Sequence, residues 1–324
     1  MQFRNKTIIV TGGAGFIGSH LCDKLIDYDP EKLIIIDNFS LGKERNIKNL
    51  RKIENVSVHK LDASNYGLMS KLYENEKVDI TFNLAVVPLP ASLTNPKETI
   101  DSNILITSTL CELLLRGKYE TLIHTSSSEA YGTAIYEHKP MDENHPTFPR
   151  TPYAASKLAC DHIVLSYHKT FGLDVTIARP FNAYGPRQNE KSYAGVIPIT
   201  IHRILRGEAP IIHGDGLQTR DYTYVEDIAE TIPRLYEVPS TRGKIVNIAS
   251  GKEVCIKELI LQIMDLMDYS GKPIYTDPRP GDVRRHIGDI SLARELIGYS
   301  PKTDYEEGLR KTIEWYKDQI IGAE

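Results

Sequence analysis

Apolar residues in the first half of the chain come in short, dense runs separated by stretches of helical period. The runs "KTIIVTG", "KLIIIDN", "VSVHKLDA", "VDITFNLA" and "TLIHTSS" are rich in β-branched residues or leucine and are closed by polar residues or glycine. That pattern predicts strands. Between them, "FIGSHLCDKLIDY" and "SNILITSTLCELLLRG" carry a helical period. Near-continuous apolar strands alternating with helices predict an α/β fold, a doubly wound parallel sheet covered on both faces. One further unit follows: helix "YAASKLACDHIVLSYHKTF", turn "GL" and strand "DVTIARP".

After Pro180 the pattern changes. Glycine, proline and tyrosine become frequent, as in "FNAYGPRQNEKSYAGVIP", "IIHGDGLQTRDYTY" and "DPRPGD", and the alternation stops. The expected organisation is a sheet domain over residues 1–180 and a smaller region over 181–324 that lies across the carboxyl ends of the strands. "KIVNIAS" reads as a strand that rejoins the first domain, so about 222–250 is expected to return to it.

Composition narrows the class. The 324 residues include 25% charged and 41% hydrophobic side chains, with a net charge of -4. That balance suits a soluble globular protein and gives no overall attraction to nucleic acid or anionic membrane. Cys22, Cys111, Cys160 and Cys255 are far apart and form no CxxC or Cys/His cluster. Neither a disulfide framework nor a metal site is expected, and a reduced cytoplasm is the expected compartment. The opening "MQFRNKTIIV" lacks a signal-peptide layout, and no apolar run approaches the roughly 20 residues that span a bilayer.

Candidate chemistry begins in "VTGGAGFIGSH", between the first strand and the first helix. Gly12, Gly15 and Gly18 permit a tight turn, close approach of backbone N–H groups to a pyrophosphate, and close helix–strand packing. A glycine turn alone can be merely structural; its place between strand and helix makes it a dinucleotide fingerprint. Asp37 ends the second strand, where a carboxylate accepts from ribose hydroxyls and repels a 2′-phosphate, so NAD is expected over NADP. The competing reading makes Asp37 a turn residue of "DNFSLG". Asp62 ends the third strand within reach of an adenine edge, and Asn83, Leu84 and Ala85 end the fourth beside the cofactor path.

"TPYAASK" places Tyr153 and Lys157 four apart at a helix start, with Thr151 as N-cap and Pro152 at the first helical position. That spacing puts phenol and ammonium on one face, and a neighbouring ammonium favours the phenolate, a base for neutral pH. Alone, such a pair is more often a packed tyrosine beside a surface lysine. The dinucleotide turn and the serine-rich strand end before it favour chemistry.

Together "TGGAGFIGSH", "DNFS", "NLA", "SSSEAYG", "YAASK", "RPFNAYGPRQ", "GDGLQTRDYTYVED" and "RPGD" span nearly the whole chain. In that order they resemble the extended short-chain dehydrogenase/reductase family of nucleotide-sugar epimerases and dehydratases. The resemblance implies a Rossmann-type domain with a smaller C-terminal substrate-binding region, a nucleotide-sugar substrate, and a homodimer formed through helices at about 103–117 and 153–171. It implies NAD held by Gly12, Gly15, Phe16, Ile17, Gly18, Asp37, Asn38, Ser40, Asp62, Ala63, Leu84, Ala85, Asn103, Ser126, Tyr153, Lys157 and Pro180. Tyr153, with Lys157 and Ser127, would take the sugar 4-OH proton while hydride passes to the nicotinamide. Val86, Ser127, Asn182, Arg187, Val196, Arg220 and Arg279 would hold the substrate, with Arg284 and Arg285 as further candidates.

Three departures bear on the reaction. "NILIT" keeps Asn103 and Thr107 but has Ile106 where relatives commonly have glycine; "NLAVVPLPAS" replaces a basic or histidine-containing loop; and "YAG" (193–195) stands where galactose epimerases have asparagines. Glu129 in "SSSEAYG" resembles 4,6-dehydratases and nucleotide glucuronate decarboxylases more than 4-epimerases, while Ser128 replaces the Asp of the thymidine-linked dehydratases. The expected reaction is 4,6-dehydration of an NDP-hexose, a UDP-hexose or UDP-N-acetylhexosamine, in which Glu129 removes the 5-proton with Ser128 beside it. The alternatives are a UDP-sugar 4-epimerase with Glu129 as a local cap, a UDP-glucuronate decarboxylase, and a non-catalytic dinucleotide-sensing module.

Overall fold

The computed structural model describes residues 2–189 and 195–321. The first half alternates as the hydrophobic pattern predicts: β1 (Thr7–Thr11), α1 (Phe16–Ile26), β2 (Lys32–Asp37), β3 (Val56–Lys60), α2 (Tyr66–Asn75), β4 (Ile80–Asn83), α3 (Leu89–Ser92), α4 (Pro96–Leu115), β5 (Thr121–Thr125), α5 (Pro152–Phe171) and β6 (Asp174–Pro180). Then come β7 (Asn182–Tyr184), α6 (Val196–Leu205), β8 (Ile211–His213), β9 (Thr219–Arg220), β10 (Tyr222–Tyr224), α7 (Val225–Glu237) and β11 (Ile245–Ile248). The chain ends with β12 (Val254–Cys255), α8 (Ile256–Leu266), β13 (Ile274–Thr276), α9 (Ser291–Ile297) and α10 (Tyr305–Ile321).

Seven strands form one parallel sheet in the order β11-β6-β5-β4-β1-β2-β3. β1 and β5 are buried along their whole length and β2 at every position after Lys32, which is why each reads as an unbroken apolar run rather than an alternating one. One core layer lies under Leu21, Leu25, Ile232 and Leu235 from α1 and α7, the other under Leu110, Leu113 and Val164 from α4 and α5. This is the α/β, doubly wound, Rossmann-type arrangement. A third apolar cluster, including Tyr184, Ile201, Tyr222, Tyr224, Ile260, Leu309 and Tyr316, is separate and builds the region beyond β6.

Local signals set the helix ends. α5 starts where Thr151 Oγ1 accepts the Ala154 N–H at 3.1 Å with Pro152 in the first turn, and stops at Gly172 in the left-handed conformation. α4 starts at Pro96, ahead of the apolar stretch from which the sequence places it. Its first turn is polar and largely exposed, so it leaves no periodic trace. The chain also forms α2, which Asn65 caps by accepting from Leu68 N–H.

The junction between the two regions turns on one buried carboxylate. Asp221 is fully buried and accepts from Ser250 N (2.7 Å), Ser250 Oγ (2.6 Å), Gly251 N (2.9 Å) and Gly288 N (3.1 Å). It ties β10 to the end of β11 and to the segment before α9. Removing it strands the buried Gly288 N–H and three partly buried donors on Ser250 and Gly251. Asp221→Ala is expected to lose about 3 kcal/mol of stability, read as a lower urea midpoint at unchanged m-value.

Candidate active site

The strand order reverses beside β1: the chain moves through β2 and β3 on one side and through β4, β5 and β6 on the other. A ligand crevice is expected at such a point, outside the carboxyl ends of the strands. The cleft found there is about 490 Å³ in volume.

Its first half is shaped for a dinucleotide. Gly12 has φ +70, and a Cβ on it would lie 2.7 Å from Ala85 N, so only glycine lets β1 pass this close to β4. The turn opens α1, an eleven-residue helix whose N-terminal N–H groups favour an anion. At the end of β2, the Asp37 carboxylate accepts from Ala14 N (3.0 Å) and Phe39 N (2.8 Å). Burial raises its pKa against those two hydrogen bonds. Asn38 Nδ2 donates to Asp62 Oδ2 at 3.0 Å, joining the ends of β2 and β3. A turn without room for side chains, a helix N-terminus and a carboxylate at the ribose position together fit NAD.

The second half carries reactive groups. β5 runs out into Ser126 and Ser127 and then a single 3-10 turn, Ser128–Tyr131. Ser127 Oγ accepts the Glu129 N–H at 3.3 Å. From α5, Tyr153 and Lys157 enter the same cleft one turn apart. Lys157 Nζ donates to Thr125 O at 2.7 Å, and burial lowers its pKa. The ammonium therefore does not produce the lowered tyrosine pKa expected from the spacing. Burial instead pushes the Tyr153 phenol up to about 12, with a Ser127 hydrogen bond opposing and Glu129 adding to the rise. The Glu129 carboxyl is also raised, by burial first, with Arg220 opposing and Asp282 adding.

The cleft gathers most of the expected residues: Gly12, Gly15, Phe16, Ile17, Gly18, Asp37, Asn38, Ser40, Asp62 and Ala63 on the cofactor side. Leu84, Ala85, Val86, Ser126, Ser127, Ser128, Glu129, Tyr153, Lys157, Pro180, Asn182 and Arg187 complete it. Asn103, Val196, Arg220 and Arg279 do not line it. Asn103 works behind the wall, where its side chain bonds Val87 N (2.8 Å), Val87 O (3.1 Å) and Ser156 Oγ (2.9 Å). Arg220 pairs with Asp282 and donates to Thr219 O (2.8 Å) and Val283 O (2.7 Å). Arg187 is tied to Asp23 of α1 at 2.6 Å. Arg284 pairs with Asp215 and Arg285 with Glu253, each at 2.8 Å, outside the cleft. Tyr193 and Ala194 lie outside the described residues.

Some lining residues carried no signal in the sequence. Asn46 reaches in from the loop after β2 and donates to Ala14 O at 2.9 Å. Val87 and Pro88 of the altered loop and Ile106, at the position where relatives commonly have glycine, form an apolar wall. Asp282, recognisable only as part of "RPGD", pairs with Arg220, the arginine that acts on the Glu129 carboxyl.

A sequence model described as GDP-mannose 4,6 dehydratase matches residues 9–312. A putative UDP-glucose 4-epimerase of Methanocaldococcus jannaschii is 36% identical over 96% of this chain and 98% of its own. Among solved structures, a UDP-N-acetylglucosamine 4-epimerase from Methanobrevibacter ruminantium is 38% identical, with TM-score 0.89 over 98% of this chain and 99% of that one. A dTDP-glucose 4,6-dehydratase from Streptomyces venezuelae, solved with NAD, is 28% identical, with TM-score 0.90 over 96% and 97%. The chain belongs to the NAD-dependent nucleotide-sugar epimerase/dehydratase family of extended short-chain dehydrogenases. Its relatives are a mixture of UDP-sugar epimerases, UDP-glucuronate decarboxylases and dTDP-glucose 4,6-dehydratases.

In an enzyme of this family, Tyr153→Phe is expected to lower turnover about 100-fold or more, while the purified protein keeps its bound NAD. Product assay and release of nucleotide on denaturation check the two halves of that statement.

Proposed function

We propose that this protein is a nucleotide-sugar 4,6-dehydratase that acts on a UDP-hexose or UDP-N-acetylhexosamine. The observation that supports this reading is the Glu129 carboxyl, which shares one cleft with the Tyr153 phenol and has its pKa raised by burial. A 4-epimerase needs one proton-transfer group at the 4-OH. A dehydratase needs a second one beside the 5-position.

In this reading NAD supplies the hydride acceptor and, through its positive nicotinamide ring, favours the Tyr153 phenolate. Tyr153 takes the proton of the sugar 4-OH, and Ser127 orients that hydroxyl. Lys157, one turn along α5, is fixed on Thr125 O. Once the 4-position is a ketone, the 5-proton is acidic, and Glu129 removes it. The same carboxyl then hands that proton to the departing 6-hydroxyl, which leaves as water, because Ser128 is too weak an acid for that step. The hydride taken from the 4-carbon would return to the 6-carbon as a solvent-derived proton adds at the 5-carbon, which gives the 4-keto-6-deoxy sugar. A carboxyl with a raised pKa suits both halves of this exchange. Asn182 and Arg187 hold the rest of the substrate, and Arg220 and Arg279 form its outer electrostatic frame. The helices α4 and α5 pack against each other, and with Leu105 of α4 52% exposed we assign this face to a cytoplasmic homodimer.

A second reading, 4-epimerisation, is favoured by the two epimerases at 36% and 38% identity. Product formed in heavy water separates the two. Dehydration puts solvent deuterium on the sugar 5-carbon and gives a 4-keto-6-deoxy product by NMR. A product with unlabelled ring carbons and an inverted 4-OH would establish the epimerase instead. Glu129→Gln is expected to lower dehydration about 100-fold or more. Because burial raises the Glu129 pKa, the acid limb of kcat/KM is expected above the usual carboxylate range. That limb disappears in Glu129→Gln.

A further inference from the structure

His286 is fully buried on the segment between Asp282 and α9. Its ring packs against Phe181, with centroids 5.3 Å apart. Nε2 lies 3.1 Å from Ser128 O, and Nδ1 lies 3.4 Å from Asn182 Nδ2. A carbonyl only accepts and an amide NH2 only donates, so both contacts require the same form of the ring. Nε2 carries the proton and Nδ1 the lone pair, and a cationic ring fits neither the site nor the neighbouring Arg220 guanidinium.

The Ser128 carbonyl belongs to the peptide unit that joins Ser128 to Glu129. At its other end, Glu129 N–H donates to Ser127 Oγ. One peptide plane is thus held from both sides, by His286 on its oxygen and by the Ser127 hydroxyl on its nitrogen. The plane fixes the start of the Glu129 side chain and the direction of the Ser127 hydroxyl, which opposes the rise of the Tyr153 pKa. On its other side, His286 and Asp221 O (3.2 Å) engage the Asn182 amide NH2, which leaves the Asn182 carbonyl oxygen for the cleft. The segment is itself anchored around His286: Arg285 O accepts from Ala134 N (2.9 Å), Ile287 O accepts from Met141 N (2.9 Å), and Gly288 N donates to Asp221 (3.1 Å).

We propose that His286 is a positioning residue, a buried imidazole that holds the Ser127–Glu129 turn and the Asn182 side chain in one register against the substrate. It acts through Glu129 and Ser127 and touches no reacting atom. The proposal rests on the reading of Glu129 as the second proton-transfer group.

The test is a double-mutant cycle on the holoenzyme, with bound NAD and thermal melting as controls. His286→Phe keeps an aromatic ring but removes both polar contacts, and is expected to lower kcat about tenfold in the otherwise native protein. In a Glu129→Gln background, the same change is expected to alter kcat by less than about twofold, since the group it positions is gone. His286→Gln, which supplies both a donor and an acceptor, is expected to restore kcat to within about threefold of the native value. If phenylalanine prevents folding, His286→Leu removes the same contacts in less volume and takes its place. An equal fold-loss in both backgrounds, or no rescue by glutamine, overturns the proposal. If Glu129→Gln alone leaves turnover intact, the dehydratase reading fails separately. The cycle is then judged with Ser127→Ala, where independent fold-losses overturn the positioning role and coupled ones uphold it.

Discussion

Two runs of buried polar contacts, which face each other across 4.0 Å between His124 and Asp161, cross the carboxyl end of the sheet beneath the cleft, and every reactive residue sits on one of the elements they join. Thr11 Oγ1 donates to Asn83 Oδ1 at 2.7 Å, and Asn83 Nδ2 reaches His124 Nδ1 at 3.0 Å. His124 Nε2 faces Asp161 Oδ1 at 4.0 Å. The other Asp161 oxygen accepts from Ser126 Oγ (2.7 Å) and Arg179 Nη2 (2.6 Å). Arg179 lies 4.4 Å over the Tyr131 ring, and the Tyr131 hydroxyl donates to Asn247 Oδ1 at 2.9 Å. In order, these residues belong to β1, β4, β5, α5, β6, the turn that carries Glu129, and β11. A buried ion pair adds little net stability, because desolvation offsets its attraction, but it is costly to break. What the Asp161–Arg179 pair supplies is relative placement. α5 cannot slide along β5 and β6 without stranding a charge, so Tyr153 and Lys157 stay in register with Ser127.

This arrangement shows which parts of the molecule were legible in the sequence. Strands buried on both faces leave continuous apolar runs, so the sheet could be read directly. The glycine turn and the tyrosine–lysine pair were legible because a few neighbouring residues and one backbone conformation define them. Thr151 and Pro152 marked the start of α5 for the same reason. The first turn of α4 left no trace because Pro96, Lys97 and Glu98 are exposed and set no apolar period. Asp221, Asn247 and His286 were silent for another reason. Each is an ordinary polar residue whose partners lie far away in sequence, Asn247 some 106 residues from Met141 O and His286 some 158 from Ser128. Only the assembled fold shows that they are buried and what they hold.

The tyrosine pKa shows a different limit. From spacing alone, an ammonium four residues away lowers it, and that argument holds when both groups face a common space. Here Lys157 faces the backbone, its proton is engaged by Thr125 O, and burial decides the sign at Tyr153. The protein alone keeps the phenol protonated at neutral pH. In the proposed reaction the charge that tips it would come with bound NAD, which would link proton removal to an occupied NAD site.

The same balance of burial against charge governs Glu129. Arg220 is the nearby cation, and an unopposed guanidinium beside a carboxyl would hold it ionised. Asp282 offsets this in part. It pairs with Arg220 directly, so Glu129 feels the guanidinium against a nearby negative charge. Desolvation then prevails, and the carboxyl moves toward the range in which it can both take and return a proton. Arg220, expected from the resemblance to hold the nucleotide, thus has a second physical effect in this fold. Its pairing with Asp282 moderates how far it opposes the rise that burial causes at Glu129, and in the proposed reaction that acidity bears on whether a 4-keto sugar is only reduced again or first loses its 5-proton.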